Sequence, residues 1–128
     1  ITPNRTEARL LLGDAPDEEA VSNEELLAGL HNENVIITSV RRGDKIGYLA
    51  RLGTEIVRIE KPMVHRQLHG TGDVFTSALC GEVLSGGNIK NALLAAADFC
   101  DRSIQDTAKY QPAHWYGLCF EEELSKRR

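Results

Sequence analysis

The chain has 128 residues, of which 41% are hydrophobic and 27% are charged, and its formal net charge at pH 7 is −4. This composition is typical of a globular protein, and the mild acidity argues against a nucleic-acid partner. No apolar run reaches the roughly 18 residues that a membrane-spanning helix needs, and residues 1–10 lack the regions of a signal peptide. The three cysteines are widely spaced without a CxxC pair, which indicates reduced thiols. We therefore expect a cytoplasmic protein without a membrane partner, folded as one domain over residues 1–128.

The first residues look like the end of a strand that leads directly into a helix. ITPN, at residues 1–4, has no initial methionine and places a helix cap at its fourth position, so we expect a piece of a longer protein. Asn4 and Glu7 have the spacing of a capping box, and Gly13 ends this first helix. One helical stripe collects the apolar residues Ala8, Leu11 and Leu12.

A second helix and three strands follow. After an acidic loop at residues 14–20, Ser22 and Glu25 form another capping-box pair. The leucines expected to face inward are Leu26, Leu27 and Leu30. NVIITSV is a continuous apolar, β-branched run and predicts a buried strand over residues 34–40. After the turn signal RRGDK, the segments IGYLARL and TEIVRIEKP alternate apolar and polar residues, which predicts two antiparallel strands.

The remaining sequence is predicted to be mainly helical. One helix should run from Thr71 to Leu84, where the breaker SGG ends it. A second long helix is indicated by apolar residues at helical spacing: Ile89, Ala92, Leu93, Ala96, Cys100 and Ile104. The tail should contain a loop, a short strand near Leu118 and a polar final helix.

The segment HGTGDVFTSALCG places two glycines and a carboxylate at the start of a helix. A helix N-terminus has unpaired backbone amides and a partial positive charge, so a glycine-rich turn can bring an anion close to it. Gly70, Thr71 and Gly72 could form such an anion-binding turn, with Asp73 beside it as a base for phosphoryl transfer. In the structural alternative, Thr71 and Asp73 cap the helix while the glycines make a tight turn. The spacing alone leaves both interpretations open.

Three segments occur in the order TPNRTEARLLLG, NVIITSV and HGTGDVFTSALCGEVLSGGNIKNALLAAADF. Together they resemble the C-terminal half of the pyridoxal and pyridoxamine kinases of the ribokinase superfamily, over nearly the whole chain. The resemblance implies an α/β fold, the C-terminal portion of a ribokinase-like three-layer αβα sandwich. It also implies ATP and Mg²⁺ as cofactors, and phosphorylation of the hydroxymethyl group of a B6 vitamer, which is pyridoxal, pyridoxine or pyridoxamine. The longer parent protein is expected to be a homo-oligomer, a homodimer in this family.

The resemblance also assigns site residues. The family's anion hole and catalytic aspartate correspond to Gly70, Gly72 and Asp73, and Asp73 would also contact the substrate hydroxyl. The remaining residues implied to bind nucleotide are Thr2, Asn4, Glu7, Thr38, Ser39, Lys61, Val64 and Thr71. Among these, the acidic residue of the N-x-x-E element would help to hold the magnesium-bound phosphates through water. Thr38 and Ser39, at the end of the buried strand, would lie beside the ATP phosphates and ribose. The segment KPMV resembles the loop that lines the adenine side.

Several alternatives stay open at this stage. Asn4 and Glu7 are also a helix-capping pattern, and Thr38 and Ser39 could be strand hydroxyls bonded to neighbouring backbone. The chain could instead come from a hydroxymethylpyrimidine or sugar kinase of the same superfamily, or be a non-catalytic nucleotide-binding or structural fragment. Because the family's N-terminal half provides most of the vitamin pocket and the lid, we expect the chain by itself to be inactive and to self-associate.

Overall fold

The computed structural model describes residues 1–13, 21–64, 68–110 and 117–127. Its contacts divide the chain into two units, Ile1–Pro62 and Met63–Arg128, and each is described by itself. The expectation of one domain over residues 1–128 stays a prediction. The acidic loop predicted at residues 14–20 and most of the loop predicted before Leu118 lie outside the described residues. None of the helices in the described part of the chain is both long and apolar enough to cross a membrane.

The first unit contains two helices followed by three strands, in the predicted order. The helices are α1 (Arg5–Leu12) and α2 (Asn23–Gly29), and the strands are β1 (Asn34–Arg42), β2 (Lys45–Leu52) and β3 (Glu55–Pro62). The strands form an antiparallel sheet in the order β1-β2-β3, which confirms the predicted hairpin. Its tight connections place Gly43 and Gly53 at positive φ, where glycine carries no steric penalty.

The N-terminal residues run parallel to β1, as the predicted strand end requires. The amide of Ile36 donates to the carbonyl oxygen of Ile1, and the amide of Thr38 donates to that of Pro3, both at 2.9 Å. A parallel bridge joins Asn4 to Thr38. The chain therefore enters α1 directly beside the middle of β1.

The core of the first unit lies between the two helices and the sheet. Its buried members are Ala8, Leu26, Leu27, Leu30, Val35, Ile37, Val40 and Leu49. The inward-facing leucines of α2 and its C-cap residue, Leu30, were therefore predicted correctly. The placement of Leu11 was wrong, because its side chain is 62% exposed. In a helix of only eight residues, Ala8 and Leu12 occupy the core-facing stripe, and Leu11 projects away from it.

The second unit contains α3 (Thr71–Leu84), α4 (Ile89–Lys109) and α5 (Glu121–Ser125). The bounds of α3 agree with the prediction, and the two long helices pack on each other through Phe75 and Leu79 of α3 and a row of small and apolar residues on α4. The strand predicted near Leu118 is absent from the described residues, where 117–120 have no regular secondary structure. Leu118 is nevertheless buried, and the next amide, that of Cys119, donates to Oγ1 of Thr107 at 2.8 Å instead of joining a sheet.

Candidate active site

The N-x-x-E element forms a complete capping box at the start of α1. The amide of Glu7 donates to Oδ1 of Asn4 at 2.9 Å, and the amide of Asn4 donates to Oε2 of Glu7 at 2.8 Å. The structural interpretation of this pair is therefore confirmed. It does not exclude a ligand role, because the Glu7 side chain is exposed and the capping box uses only one of its carboxylate oxygens.

A shallow surface cavity of about 470 Å³, open to solvent, lies beside this element. Its lining residues are Ile1, Thr2, Pro3, Glu7, Leu10 and Leu11. Two residues assigned to nucleotide binding, Thr2 and Glu7, thus share one concave surface. The two leucines were missed as cavity residues. A signal was present, because the run of three leucines in ARLLLG contains more apolar residues than the core-facing stripe of so short a helix can bury.

Thr38 and Ser39 lie at an irregularity in β1. The pairing of β1 with β2 shifts between Ile37 and Val40, as in a β-bulge. Thr38 is buried beside Pro3, whereas Ser39 is exposed and has a φ of 58°. Both were expected at the end of the strand, but β1 resumes after the bulge and continues to Arg42, so they lie within it. A left-handed serine is strained, and such strain is often found at ligand sites.

Lys61 and Val64 lie at the end of β3. The resemblance placed both in a loop, whereas the alternating pattern of TEIVRIEKP placed Lys61 in a strand. The pattern is confirmed for Lys61, which pairs with Ile46 in the ladder between β2 and β3. The alternating sequence keeps this strand paired through Pro62, and only Met63 and Val64 follow it as irregular chain. Proline is tolerated there because it closes the last position of an edge strand. Lys61 is consequently held by a strand rather than by a loop.

The glycine-rich turn leads into α3 without a side-chain cap. Gly70 is the N-cap residue, with φ 84° and ψ 0°, and no side chain in the described residues caps the helix. Among the other helices of the described residues, α1, α2 and α4 begin with the capping side chains of Asn4, Ser22 and Asn88, whereas the five-residue α5 does not. The interpretation of Thr71 and Asp73 as caps of α3 is therefore wrong. The amides of the first turn are left for another acceptor.

The space around this turn suits the approach of an anion. A Cβ added to Gly70 or Gly72 would meet no heavy atom of the described residues within 4 Å. Asp73 lies in the first turn of α3 and its side chain is exposed. Backbone amides, the positive end of the helix dipole and a carboxylate thus occur within four consecutive residues. This combination can bind a phosphate and accept a proton from a neighbouring hydroxyl.

The structure brings the predicted residues together in two groups. Asn4, Glu7 and Thr38 are neighbours in the first unit, and Gly70 to Asp73 form the start of α3 in the second. Their assignment to a single nucleotide site stays a prediction.

The implied magnesium ion can be tested against the donor groups present. No cluster of three or more histidine, cysteine, aspartate or glutamate residues in the described ranges could hold a metal ion. At nucleotide sites, however, Mg²⁺ commonly binds one or two carboxylates, directly or through water, together with phosphate oxygens. The exposed carboxylate of Glu7 is compatible with that role.

The order of helices and strands is that of a ribokinase-like α/β fold, and comparison with known proteins supports this fold class. The profile of the phosphomethylpyrimidine kinase family matches residues 1–118, and the chain belongs to that family. No curated protein matches the sequence significantly.

Solved structures show the same fold. Pyridoxal kinase from Lactobacillus plantarum superposes with a TM-score of 0.84 over 98% of this chain and 48% of that one, at 24% identity. A Bacteroides thetaiotaomicron protein assigned as a phosphomethylpyrimidine kinase, in a crystal form with pyridoxal, has a TM-score of 0.82 and 31% identity. The match covers 98% of this chain and 48% of that one. An ADP complex of Bacillus subtilis pyridoxal kinase has a TM-score of 0.76 and 26% identity, over 92% of this chain and 47% of that one. The predicted fold class is confirmed, and the chain spans about half the length of these proteins.

Proposed function

We propose that this chain is the nucleotide-binding and proton-accepting part of an ATP-dependent kinase that phosphorylates the hydroxymethyl group of a B6 vitamer. The observation that carries the proposal is the start of α3, where an uncapped helix N-terminus follows a left-handed glycine and contains an exposed aspartate. The similarity to a protein crystallised with pyridoxal and to a pyridoxal kinase bound to ADP supports the choice of substrates.

The chemistry follows from the position of these groups. The first-turn amides of α3 would hold the γ-phosphoryl group and offset the negative charge that develops on it. Asp73 would accept the proton of the hydroxymethyl group as its oxygen attacks phosphorus, and ADP would leave as the bond to the γ-phosphoryl group breaks. Glu7 would hold Mg²⁺ through water, and the ion would neutralise phosphate charge.

A second candidate substrate comes from the matched family itself. The family is named for phosphomethylpyrimidine kinase, so a hydroxymethylpyrimidine is a specific alternative to a B6 vitamer. Both acceptors present a hydroxymethyl group on a nitrogen heterocycle, and the same amides and carboxylate would serve both. The start of α3 therefore supports the reaction type, and the choice between the two rings must come from assay.

The test is a substrate comparison with the full-length protein that carries this sequence. ADP release should be measured with ATP and each of pyridoxal, pyridoxine, pyridoxamine and hydroxymethylpyrimidine. We expect turnover with a B6 vitamer, and a loss of about 10²- to 10⁴-fold in Asp73→Asn. Asp101→Asn, which removes a carboxylate from α4, is the matched control and should retain activity. Turnover with the pyrimidine alone would favour the second candidate, and no turnover with any acceptor would overturn the proposal.

We further propose that the 128-residue chain binds nucleotide but does not turn over alone. Phosphoryl transfer requires an acceptor that is held in line and protected from water. These two effects together lower the activation barrier by several kcal/mol. Sustained product formation at about 1 s⁻¹, the lower end of typical enzyme rates, would contradict this division of roles.

A further inference from the structure

A buried thiol contacts the first turn of α3. Cys100 lies near the middle of α4, is 1% exposed, and places its Sγ 3.6 Å from the carbonyl oxygen of Thr71. A thiol is a weak hydrogen-bond donor, and a carbonyl oxygen can accept a second bond besides its bond within the helix. The contact therefore ties the first residue of α3 to a helix 29 positions further along the chain.

The Cys100 thiol contacts a carbonyl oxygen of the first turn, whereas the proposed phosphate would bind the amides of that turn. In an α-helix the amides point toward the N-terminus and the carbonyls toward the C-terminus. A capping side chain would occupy the amides of the first turn, and none does so at α3 among the described residues. The Cys100 thiol instead contacts a carbonyl, so it can restrain the turn while leaving the amides available.

The position of the thiol is itself well defined. Cys100 is more than two turns from either end of α4, so it is remote from fraying termini. Its neighbours along the same helix, Ala96, Ala97, Phe99 and Ser103, are all buried. Phe75, one turn into α3, is also 1% exposed. A donor held by such packing can fix the position of a helix start.

We propose that Cys100 is a positioning residue that holds the first turn of α3 from its carbonyl side, so that the amides of Gly72 and Asp73 are placed for the phosphoryl group. The inference rests on the proposed function for the role of these amides. Cys100 would touch neither nucleotide nor acceptor, because its side chain is buried and its thiol contacts a carbonyl oxygen rather than the first-turn amides.

The experiment compares amide hydrogen exchange and ADP affinity in the 128-residue chain and three variants. Cys100→Ala removes the donor, and Cys100→Ser retains one. Ser103→Ala is the matched control, because it removes a buried donor from α4 that bonds the carbonyl of Phe99 rather than α3. In Cys100→Ala we expect the amide exchange rates of Val74 and Phe75 to rise about three- to tenfold, because one modest hydrogen bond is lost. The exchange rate of Leu79 should stay unchanged. The dissociation constant for ADP should rise by a similar factor, and Cys100→Ser should lie nearer the wild type.

Each other result has a defined meaning. The inference would be overturned if the amides of Val74 and Phe75 exchanged as fast in Ser103→Ala as in Cys100→Ala. It would also be overturned if Cys100→Ser raised their exchange rates as much as Cys100→Ala does. Faster local exchange with unchanged ADP affinity would overturn the positioning role. If the wild-type chain binds no ADP at millimolar concentration, the proposed nucleotide function fails, whereas the exchange data still decide whether the thiol restrains the turn.

Discussion

Asn4 and Glu7 hold each other in place at the start of α1: the amide of Asn4 donates to the side chain of Glu7 at 2.8 Å, and the amide of Glu7 donates to the side chain of Asn4 at 2.9 Å. The same glutamate lines the cavity of the first unit and is the residue that we assign to magnesium-bound phosphate. One carboxylate would therefore serve both helix stability and ligand binding. The two roles can be separated, because glutamine can replace glutamate in a capping box but carries no charge.

Glu7→Gln should leave stability within about 0.5 kcal/mol of the wild type, since the reciprocal hydrogen bonds are retained. It should nevertheless weaken binding of ADP with Mg²⁺ and leave binding of ADP alone nearly unchanged. Glu7→Ala loses both roles and should also cost about 1 kcal/mol of stability. Thermal unfolding and titration calorimetry measure the two effects. Unchanged affinity for ADP with Mg²⁺ in Glu7→Gln would leave Glu7 as a cap only.

Gly72→Val should abolish most nucleotide binding without unfolding α3. The added side chain has open space around it, but that space is where the phosphate would approach the amides. Gly81→Val is the matched control, because Gly81 lies in the same helix, also has open space at its Cβ, and is remote from the first turn. Calorimetry with ADP, together with circular dichroism, provides the measurement. Equal affinities in the two variants would remove the turn from the nucleotide site.

Gly47→Ala should strongly destabilise the sheet. A Cβ at Gly47 would lie 1.8 Å from the backbone carbonyl oxygen of Ile59, so β2 and β3 would have to separate. We expect a cost of more than about 2 kcal/mol in the free energy of unfolding. Gly81→Ala, in a helix interior with open space, should instead be neutral or stabilising by up to about 1 kcal/mol. Urea denaturation distinguishes the two, and similar midpoints would show that the sheet adjusts at Gly47.

Ser39→Gly should stabilise the protein modestly. Ser39 has a φ of 58°, and glycine removes the steric cost of this conformation, although it also increases the entropy of the unfolded chain. The expected net gain is up to about 1 kcal/mol. Ser39→Ala removes the same hydroxyl but keeps the strain, so it should show no gain in thermal unfolding. A gain in both variants would point to the hydroxyl rather than to the backbone.

Acid should weaken the start of α2. Hydrogen bonds from the backbone amide and hydroxyl of Ser22, at 2.7 Å and 2.8 Å, hold the pKa of Glu25 below its ordinary value of 4.5. A carboxyl whose pKa is lower in the folded protein adds stability above its unfolded pKa, and this stability is lost as the pH falls through the folded value. The stability difference between the wild type and Glu25→Gln should therefore shrink as the pH falls from about 5 to 3. A constant difference in unfolding midpoint between the wild type and Glu25→Gln across that pH range would contradict the prediction.

Local signals in the sequence were enough for the helix starts and for the glycine-rich turn. Caps such as Asn4 and Ser22 act on amides only three residues away, and Gly70 adopts its positive φ because of its own missing side chain. Such interactions are contained within a few consecutive residues. The order of helices and strands, and the place of Asp73 in the first turn of a helix, could therefore be predicted correctly.

Features that depend on distant residues were decided only by the tertiary structure. The sequence contains no sign that Ser39 takes a left-handed conformation, which depends on how β1 pairs with β2 on both sides of the bulge. It also placed Leu11 on the core-facing stripe of α1, because burial depends on partners many positions away. The contact of the Cys100 thiol with Thr71 belongs to the same class: the chain encodes both residues, but only the packing of α4 on α3 brings them together.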